Sequence, residues 1–516
     1  MVKVPESART IDRPKGTVVV HRSSGVHAVK ERSYAYDGSG RRHCVDGPVI
    51  GHIINGRYVP DNGIPHSGGR VDSKEWGNAK LCTMVSEDLF DDLLKFYNVG
   101  ESSWIYVLAV LRCIYPGMRD YQVQRKYSFS YISEMYPGLG FSKNQVCQEL
   151  QSIGTEGNRI RDFMRARVGS LEVDEMVVID GSLQLDESTV NTLSRRSRKY
   201  REVKHRQYVK MYAYSADRME PVCSKIYPGN MTDSRSVGDF IRTFEISKGI
   251  IVADKGFPVS SVEDAVRGAD GIHYLLPLKD NQEMIAEHSM LDFDGSIPGT
   301  AVQSKKVRVS KDVWLYSFRD PDIAAEEEDE YVRKHPDGYD PEDLKARKPA
   351  FGTIVFQSDL DLTSARVNQM YEDRWLIELF FKFYSSQLDF DDTREHSDQS
   401  VLASNFVDFL SALMGTRMMR AFDGVDEMEP WSYEFALDFL RCMKICRVDG
   451  DEWENERYTV QDSELLVKLG LLERPLVPED PPKKKGRPKG SKDKRPRKSR
   501  TTRRKNMDEV NESTFD

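Results

Sequence analysis

Glu175-Met-Val-Val-Ile-Asp180 and, further along, Gly249-Ile-Ile-Val-Ala-Asp254 decide how this chain is read. Each is a short, unbroken apolar run that ends in an aspartate, the pattern of a strand buried on both faces whose last residue leaves the sheet. Two more strands are expected between them, at Arg206 to Ser215 (RQYVKMYAYS) and Pro221 to Tyr227 (PVCSKIY). The polar stretch Ala216 to Glu220 joins these into a hairpin. Ser236 to Ile246 has helical spacing at Val237, Phe240, Ile241 and Phe244, and a further helix is expected at about Ser260 to Arg267, then a strand at Ile272 to Pro277.

The order is therefore strand, strand, strand, helix, strand, helix, strand. That is the ribonuclease H-like arrangement, in which three antiparallel strands are extended by parallel strands through helical crossovers. From Asn281 to about Ala350 the chain reads as an irregular, charged insertion, with strand-like pieces at Ala301 to Val309 and Val313 to Phe318 and a very acidic segment at Ala324 to Tyr331. Phe351 to Phe356 resumes as a strand, and Ser364 to Leu388 reads as one long helix.

Outward from this core, residues 16 to 60 alternate apolar and polar positions around Asp37-Gly38 and Asn55-Gly56, a small hairpin-rich unit. Ser86 to Val168 changes to helical spacing, as in Phe90, Leu93, Leu94 and Tyr97. C-terminal helices are expected at Ser400 to Phe422, Trp431 to Cys446 and Val460 to Leu472, and after Pro475 the composition turns to Pro, Lys, Arg and Gly, where packing ends. The expected architecture is α/β in five regions. They are a β-rich N-terminal region (1–75), a helical domain (76–168), a ribonuclease H-like domain (169–425, insertion about 281–350), a C-terminal helical region (426–475) and a disordered basic tail (476–516).

Composition agrees with that reading. With 39% hydrophobic and 31% charged residues in 516, the chain is long enough for several cores and globular in class. No stretch approaches the roughly 18 apolar residues of a spanning helix, and MVKVPESARTIDRPKG lacks a signal-peptide core, so the expectation is a cytoplasmic protein without a membrane partner. Seven scattered cysteines without a C-x-x-C pair speak against a disulfide scaffold and a zinc finger, and Cys442 and Cys446 read as core thiols. Lys483 to Lys505 holds 14 Lys or Arg against Asp493 alone, a surplus of +13 that leaves −21 on the remainder of a chain whose net charge is −8. The body is a poor polyanion binder, and the tail is a nucleic-acid arm.

Phosphodiester transfer needs an activated attacking oxygen and a stabilised leaving oxygen, which two divalent cations about 3.5 to 4 Å apart provide. Hard cations such as Mg²⁺ take oxygen ligands. Asp180 and Asp254, ending adjacent central strands, supply two of them. Alone, each aspartate would more commonly start a turn or cap a helix; together, on the strands where this arrangement carries its metals, they point to function. Asp217 and Asp233 sit in turn-like contexts and read as loop residues. In Tyr371-Glu-Asp-Arg-Trp-Leu-Ile-Glu378, helical spacing puts Tyr371, Arg374 and Glu378 on one face, joining a third carboxylate to an Arg suited to phosphate. Trp375, Leu376, Leu379 and Phe380 read as that helix's buried side.

These residues resemble the DDE transposases of prokaryotic insertion sequences, in the subgroup with a Y-x2-R-x3-E-x6-K signature. Tyr371, Arg374 and Glu378 match its spacing, and Asp180-Gly181, Asp254-Lys-Gly-Phe257, Tyr227-Pro-Gly-Asn-Met-Thr-Asp233 and Leu278-Lys-Asp-Asn281 extend the resemblance over roughly residues 170 to 425. The resemblance implies Mg²⁺ or Mn²⁺, two ions, held by Asp180, Asp254 and Glu378. It also implies cut-and-paste transposition: cleavage at inverted-repeat ends, joining of the 3′ hydroxyl to target DNA, and Tyr371 and Arg374 beside phosphate. Synapsis of two ends implies a homodimer. One departure stands out: the signature lysine position is Ser385, and the nearest lysine is Lys382, one turn after Glu378.

Lys485-Gly486-Arg487-Pro488-Lys489 resembles an AT-hook, whose extended core enters a narrow minor groove; an unspecific polybasic arm is the alternative, and both bind DNA. Arg159, Arg161, Arg165 and Arg167 cluster near the end of a helix, as a DNA-end reader or a solvated face. Two rival functions share these residues: a nuclease or resolvase without strand transfer, and an inactive transposase-derived regulator.

Overall fold

The computed structural model describes residues 4, 9–21, 27–36, 41–54, 57–60, 71–186, 188–196, 206–231, 233–254, 257–267, 271–279, 283–391, 395–448, 452–456 and 458–475. The AT-hook-like residues Lys485, Gly486, Arg487, Pro488 and Lys489 lie outside them. Strands β1 (Thr17–His21), β2 (His27–Tyr36), β3 (Arg42–Ile54) and β4 (Arg57–Pro60) form an antiparallel sheet with a small core of Val19, Val29 and Ile53. After β5 (Asp72–Glu75) come helices α1 (Gly77–Val85), α2 (Glu87–Leu94), α3 (Val99–Ile114), α4 (Asp120–Phe129), α5 (Ile132–Met135), α6 (Lys143–Thr155) and α7 (Gly157–Val168). Sequence marks their starts: Asn98 with Glu101, and Ser142 with Gln145, build reciprocal caps that satisfy the first free N–H groups of α3 and α6.

The large sheet begins with β6 (Met176–Leu185), β7 (Arg195–Arg196), β8 (Arg206–Ser215) and β9 (Glu220–Pro228). Helix α8 (Asp233–Phe244) leads to β10 (Lys248–Ala253), and α9 (Val259–Val266) leads to β11 (Gly271–Pro277). Both helices bury an apolar stripe against the sheet, with Val237, Phe240, Ile241 and Phe244 on α8 and Val262 and Val266 on α9. Strand order through the centre is β9-β8-β6-β10-β11; β9, β8 and β6 pair antiparallel, then β6, β10 and β11 pair parallel. This is the three-plus-two order expected from the apolar runs.

Beyond β11 the chain forms α10 (Glu283–Glu287), β12 (Gly295–Ser296), β13 (Gln303–Ser310), β14 (Val313–Arg319), α11 (Pro321–Lys334), α12 (Pro341–Arg347) and β15 (Thr353–Ser358). Strands β12 to β15 continue the same sheet past β11, which makes it ten-stranded among the described residues. The inserted segment is thus an extension of the sheet. The acidic stretch within it, read as irregular, is helical. Asp320 accepts the Asp322 and Ile323 N–H groups, Pro321 fills the first turn, and Arg333 and Lys334 sit at the C-terminal end where the helix dipole favours cations.

Helices α13 (Ser364–Asp373) and α14 (Trp375–Lys382) replace the single long helix expected. At Arg374 the turn tightens, its N–H donating to both Met370 O and Tyr371 O, and at Phe383–Gln387 it widens into a π turn. The chain closes with α15 (Asp398–Asp423), α16 (Tyr433–Cys442), β16 (Lys444–Arg447), β17 (Glu454–Asn455) and α17 (Val460–Lys468). The helix expected to reach Cys446 therefore stops at Cys442, because Lys444 to Arg447 is claimed as a strand by β5. Cys442 is exposed and Cys446 half-buried, so neither is the core thiol expected.

Helix α15 is buried along most of its length and packs against α3, α6 and β9, so the helical region and the sheet share one hydrophobic core. The approach is tight: a Cβ on Gly154 of α6 would lie 1.8 Å from Gln399 O. No helix of the described residues is long and apolar enough to cross a membrane.

Candidate active site

The site is set by a parting of strands. Parallel pairing of β6 with β10 ends at Ile179 and Ala253, so the next residues, Asp180 and Asp254, stand side by side at the edge where the strands separate. Strand β6 does not end at Asp180, as its sequence implied; it runs on to Leu185 along β8, with Asp180 opposite Tyr212. The apolar run stops because the inner pairing stops, while the ladder to β8 continues. Helix α14 packs against β6 and carries Glu378.

Arg374 joins the set. Its Nη1 donates to Glu378 Oε1 at 2.8 Å and lies 4.0 Å from Asp254 Oδ1. Its side chain is 15% exposed, against 51% for Asp254 and 35% for Glu378, so the carboxylates face solvent and the guanidinium lies beneath. Tyr371 places it: the ring packs edge-on against Phe356 of β15, centroids 4.7 Å apart, and the guanidinium carbon stands 5.4 Å from the Tyr371 ring centre. Burial pushes Asp180 up to about 6; the Gly181 N–H, 2.7 Å from Asp180 Oδ1, and Arg374 oppose this, and the Asp254 and Glu378 carboxylates add to it. The three acidic side chains therefore feel one another. Among the described residues no three Asp, Glu, His or Cys groups stand in metal-holding geometry as they are. The oxygen donor set and its surplus of negative charge nonetheless fit a hard divalent cation.

Behind α14 lies a second cluster that sequence reasoning passed over. Lys210, in the middle of β8 and 3% exposed, donates to the Tyr384 hydroxyl and stands 3.8 Å from Asp408 Oδ2. Burial pulls Lys210 down to about 7 against the attraction of Asp408, and burial pushes nearby Glu395 up to about 7, with Asp120 adding to it. Lys210 and Ser385 line the same small cavity of about 80 Å³ with Ser182 and Gln184, so a buried lysine from another element opens beside the place where the signature carries one. The signal was a lone lysine inside an apolar strand. Lys382 itself is exposed.

Other expectations are revised. Trp375 and Leu379 are 56% and 45% exposed, while Ile377 and Phe380 form the buried side of α14, in line with Val367 and Met370 of α13. The arginines of α7 are engaged within the chain: Arg159 with Glu101 and Glu156, Arg161 with Asp162, Arg165 with Glu245, and Arg167 with the buried Glu220. Arg165 and Arg167 tie the helical region to the sheet domain, and Arg159 and Arg161 pair within it. Asp217 accepts the Met176 N–H at 2.6 Å, a turn role; the side chain of Asp233 lies outside the described residues.

Residues 177–413, a little under half of the chain, match the family model described as "Transposase DDE domain". Among solved structures the chain is similar to one titled "Cryo-EM structure of piggyBac transposase synaptic complex with hairpin DNA (SNHP)", at 10% identity and a TM-score of 0.38, covering 71% of this chain and 79% of that one. No curated protein matches the sequence.

Proposed function

We propose that this protein is a DDE transposase of the insertion-sequence type, built on a ribonuclease H-like core. It binds the inverted-repeat ends of its element as a homodimer, cleaves them and joins the 3′ ends to target DNA. The observation that carries the reading is the meeting of Asp180 and Asp254 at the parting of β6 and β10, with Glu378 and Arg374 bound to each other beside Asp254. The match of residues 177–413 to the transposase domain supports it. We assign Asp180, Asp254 and Glu378 as catalytic carboxylates that hold two Mg²⁺ or Mn²⁺ ions, which supply Lewis acidity at the attacking and leaving oxygens.

The chain's own groups do the rest. Asp180, fixed in the ladder to β8, would serve as a ligand in its ionised form. Arg374 offers a planar fork to a non-bridging phosphate pair, with Tyr371 setting its plane, and exposed Lys382 adds a charge one turn on. The basic tail, with Lys485 to Lys489 as its minor-groove element, holds DNA near the acidic body, in a prokaryotic cytoplasm. The helical region 76–168 serves as the end-binding domain, through surfaces other than the arginines of α7.

The test uses the full chain, Mg²⁺ and a duplex carrying the DNA that brackets its reading frame. Strand cleavage and joining to a second duplex are expected, and Asp180→Asn and Glu378→Gln each lower the rate by at least about 10³-fold, the scale of losing a preorganised transition-state contact. Cleavage without joining, or joining indifferent to both substitutions, overturns the reading.

A further inference from the structure

The position of Arg374 says more than that it can meet a phosphate. One guanidinium donates to a carboxylate from α14 at 2.8 Å and faces, by charge alone, a carboxylate at the end of β10 at 4.0 Å. Its Nε is buried and has no hydrogen-bond partner among the described residues. Arg13 and Arg441 share that unused Nε, so what sets Arg374 apart is its place between two acidic side chains, held there by charge with a donor to spare. Its backbone lies on the tightened turn between α13 and α14, and the Tyr371 ring flanks it, so the side chain leans on the acidic edge without being locked into the core.

Three carboxylates and one guanidinium leave a local charge of about −2, and any divalent cation taking the Asp254 and Glu378 oxygens displaces a positive group from them. A guanidinium and a dication within a few ångströms repel each other, so both cannot keep the same oxygens.

We propose that Arg374 is the resident counter-ion of the metal-free site. It holds Asp254 and Glu378 together until divalent cations take their oxygens, and the released guanidinium, with its spare donor, then turns to the DNA phosphate. Metal loading and phosphate capture are thereby coupled through one side chain, a positioning residue for the carboxylates. The inference rests on the metal-dependent reading above.

Mn²⁺ alone, titrated calorimetrically into the full chain, tests it in the wild type, Arg374→Gln, Arg374→Lys and Glu378→Gln. The expected result is about tenfold tighter Mn²⁺ binding in Arg374→Gln, the scale of removing one close competing charge, and near wild-type affinity in Arg374→Lys. Unchanged or weaker binding in Arg374→Gln, with binding still lost in Glu378→Gln, overturns the counter-ion role and leaves the metal site standing. Mn²⁺ binding indifferent to Glu378→Gln overturns both. Should Arg374→Gln fail to fold, the wild type suffices: the Arg374 Nε–H resonance shifts on Mg²⁺ addition if the side chain is released, and a resonance that stays put overturns the inference.

Discussion

Two charged clusters in this protein are inversions of each other. At Glu220, 7% exposed, one carboxylate receives Arg167 at 3.2 Å, Arg417 at 2.9 Å and Arg420 at 3.1 Å. At the parting of β6 and β10, three carboxylates share Arg374. The first cluster joins α7, β9 and α15 and is saturated with donors; against the burial that would raise it, the three guanidinium groups hold Glu220 below its ordinary value. The second is short of positive charge, and burial holds Asp180 above its ordinary value. A saturated cluster is a fastening, whereas an unsaturated one has capacity to bind.

The comparison is most sharply broken at Glu220. Glu220→Gln leaves the buried Arg167 without its carboxylate, while Arg417 keeps Asp88 and Arg420 is part-exposed, and is expected to cost about 3 kcal/mol of stability in denaturant titration; a loss under about 1 kcal/mol would mean the cluster fastens little. Asp180→Asn goes the other way. Asp180 titrates at about 6 when folded, above its ordinary 3.8, so its contribution to stability is full below about 3.8 and is lost as pH rises through about 6. The Asn variant is therefore expected to gain about 1 to 2 kcal/mol on the wild type between pH 4 and pH 7 in the absence of metal. A constant difference across that range would remove the charge imbalance from the argument. The smallest effect belongs to Lys382, exposed beside the acidic edge: Lys382→Ala leaves stability unchanged and lowers the salt slope of DNA binding by about one.

Local pattern carried the sheet. The apolar runs 175–180 and 249–254 become the parallel pair β6 and β10, and the two polar-linked strands between them become β8 and β9, because burial on both faces writes itself into consecutive residues. The neighbourhood of the proposed site's side chains was legible for the same reason: a strand's end and a helix's face are local properties, and Arg374 lies against both Glu378 and Asp254. Whatever depends on distant partners was not legible. The arginines of α7 look like a basic head until Glu220 and Glu245 are placed next to them. The helix expected to reach Cys446 yields to β5, nearly four hundred residues earlier. Trp375 and Leu379 are exposed because the face that meets the sheet is the one carrying Val367, Met370, Ile377 and Phe380, and an all-apolar turn does not itself say which of its sides a distant sheet will cover.

The fork between β6 and β10 gives the paired aspartates unequal freedom. Asp180 remains inside the ladder to β8, opposite Tyr212, while Asp254 is the first residue past the end of β10 and half open to solvent. One aspartate is thus braced on both sides and the other from behind alone, so under the proposed reading the two ligands differ in how firmly the sheet fixes them.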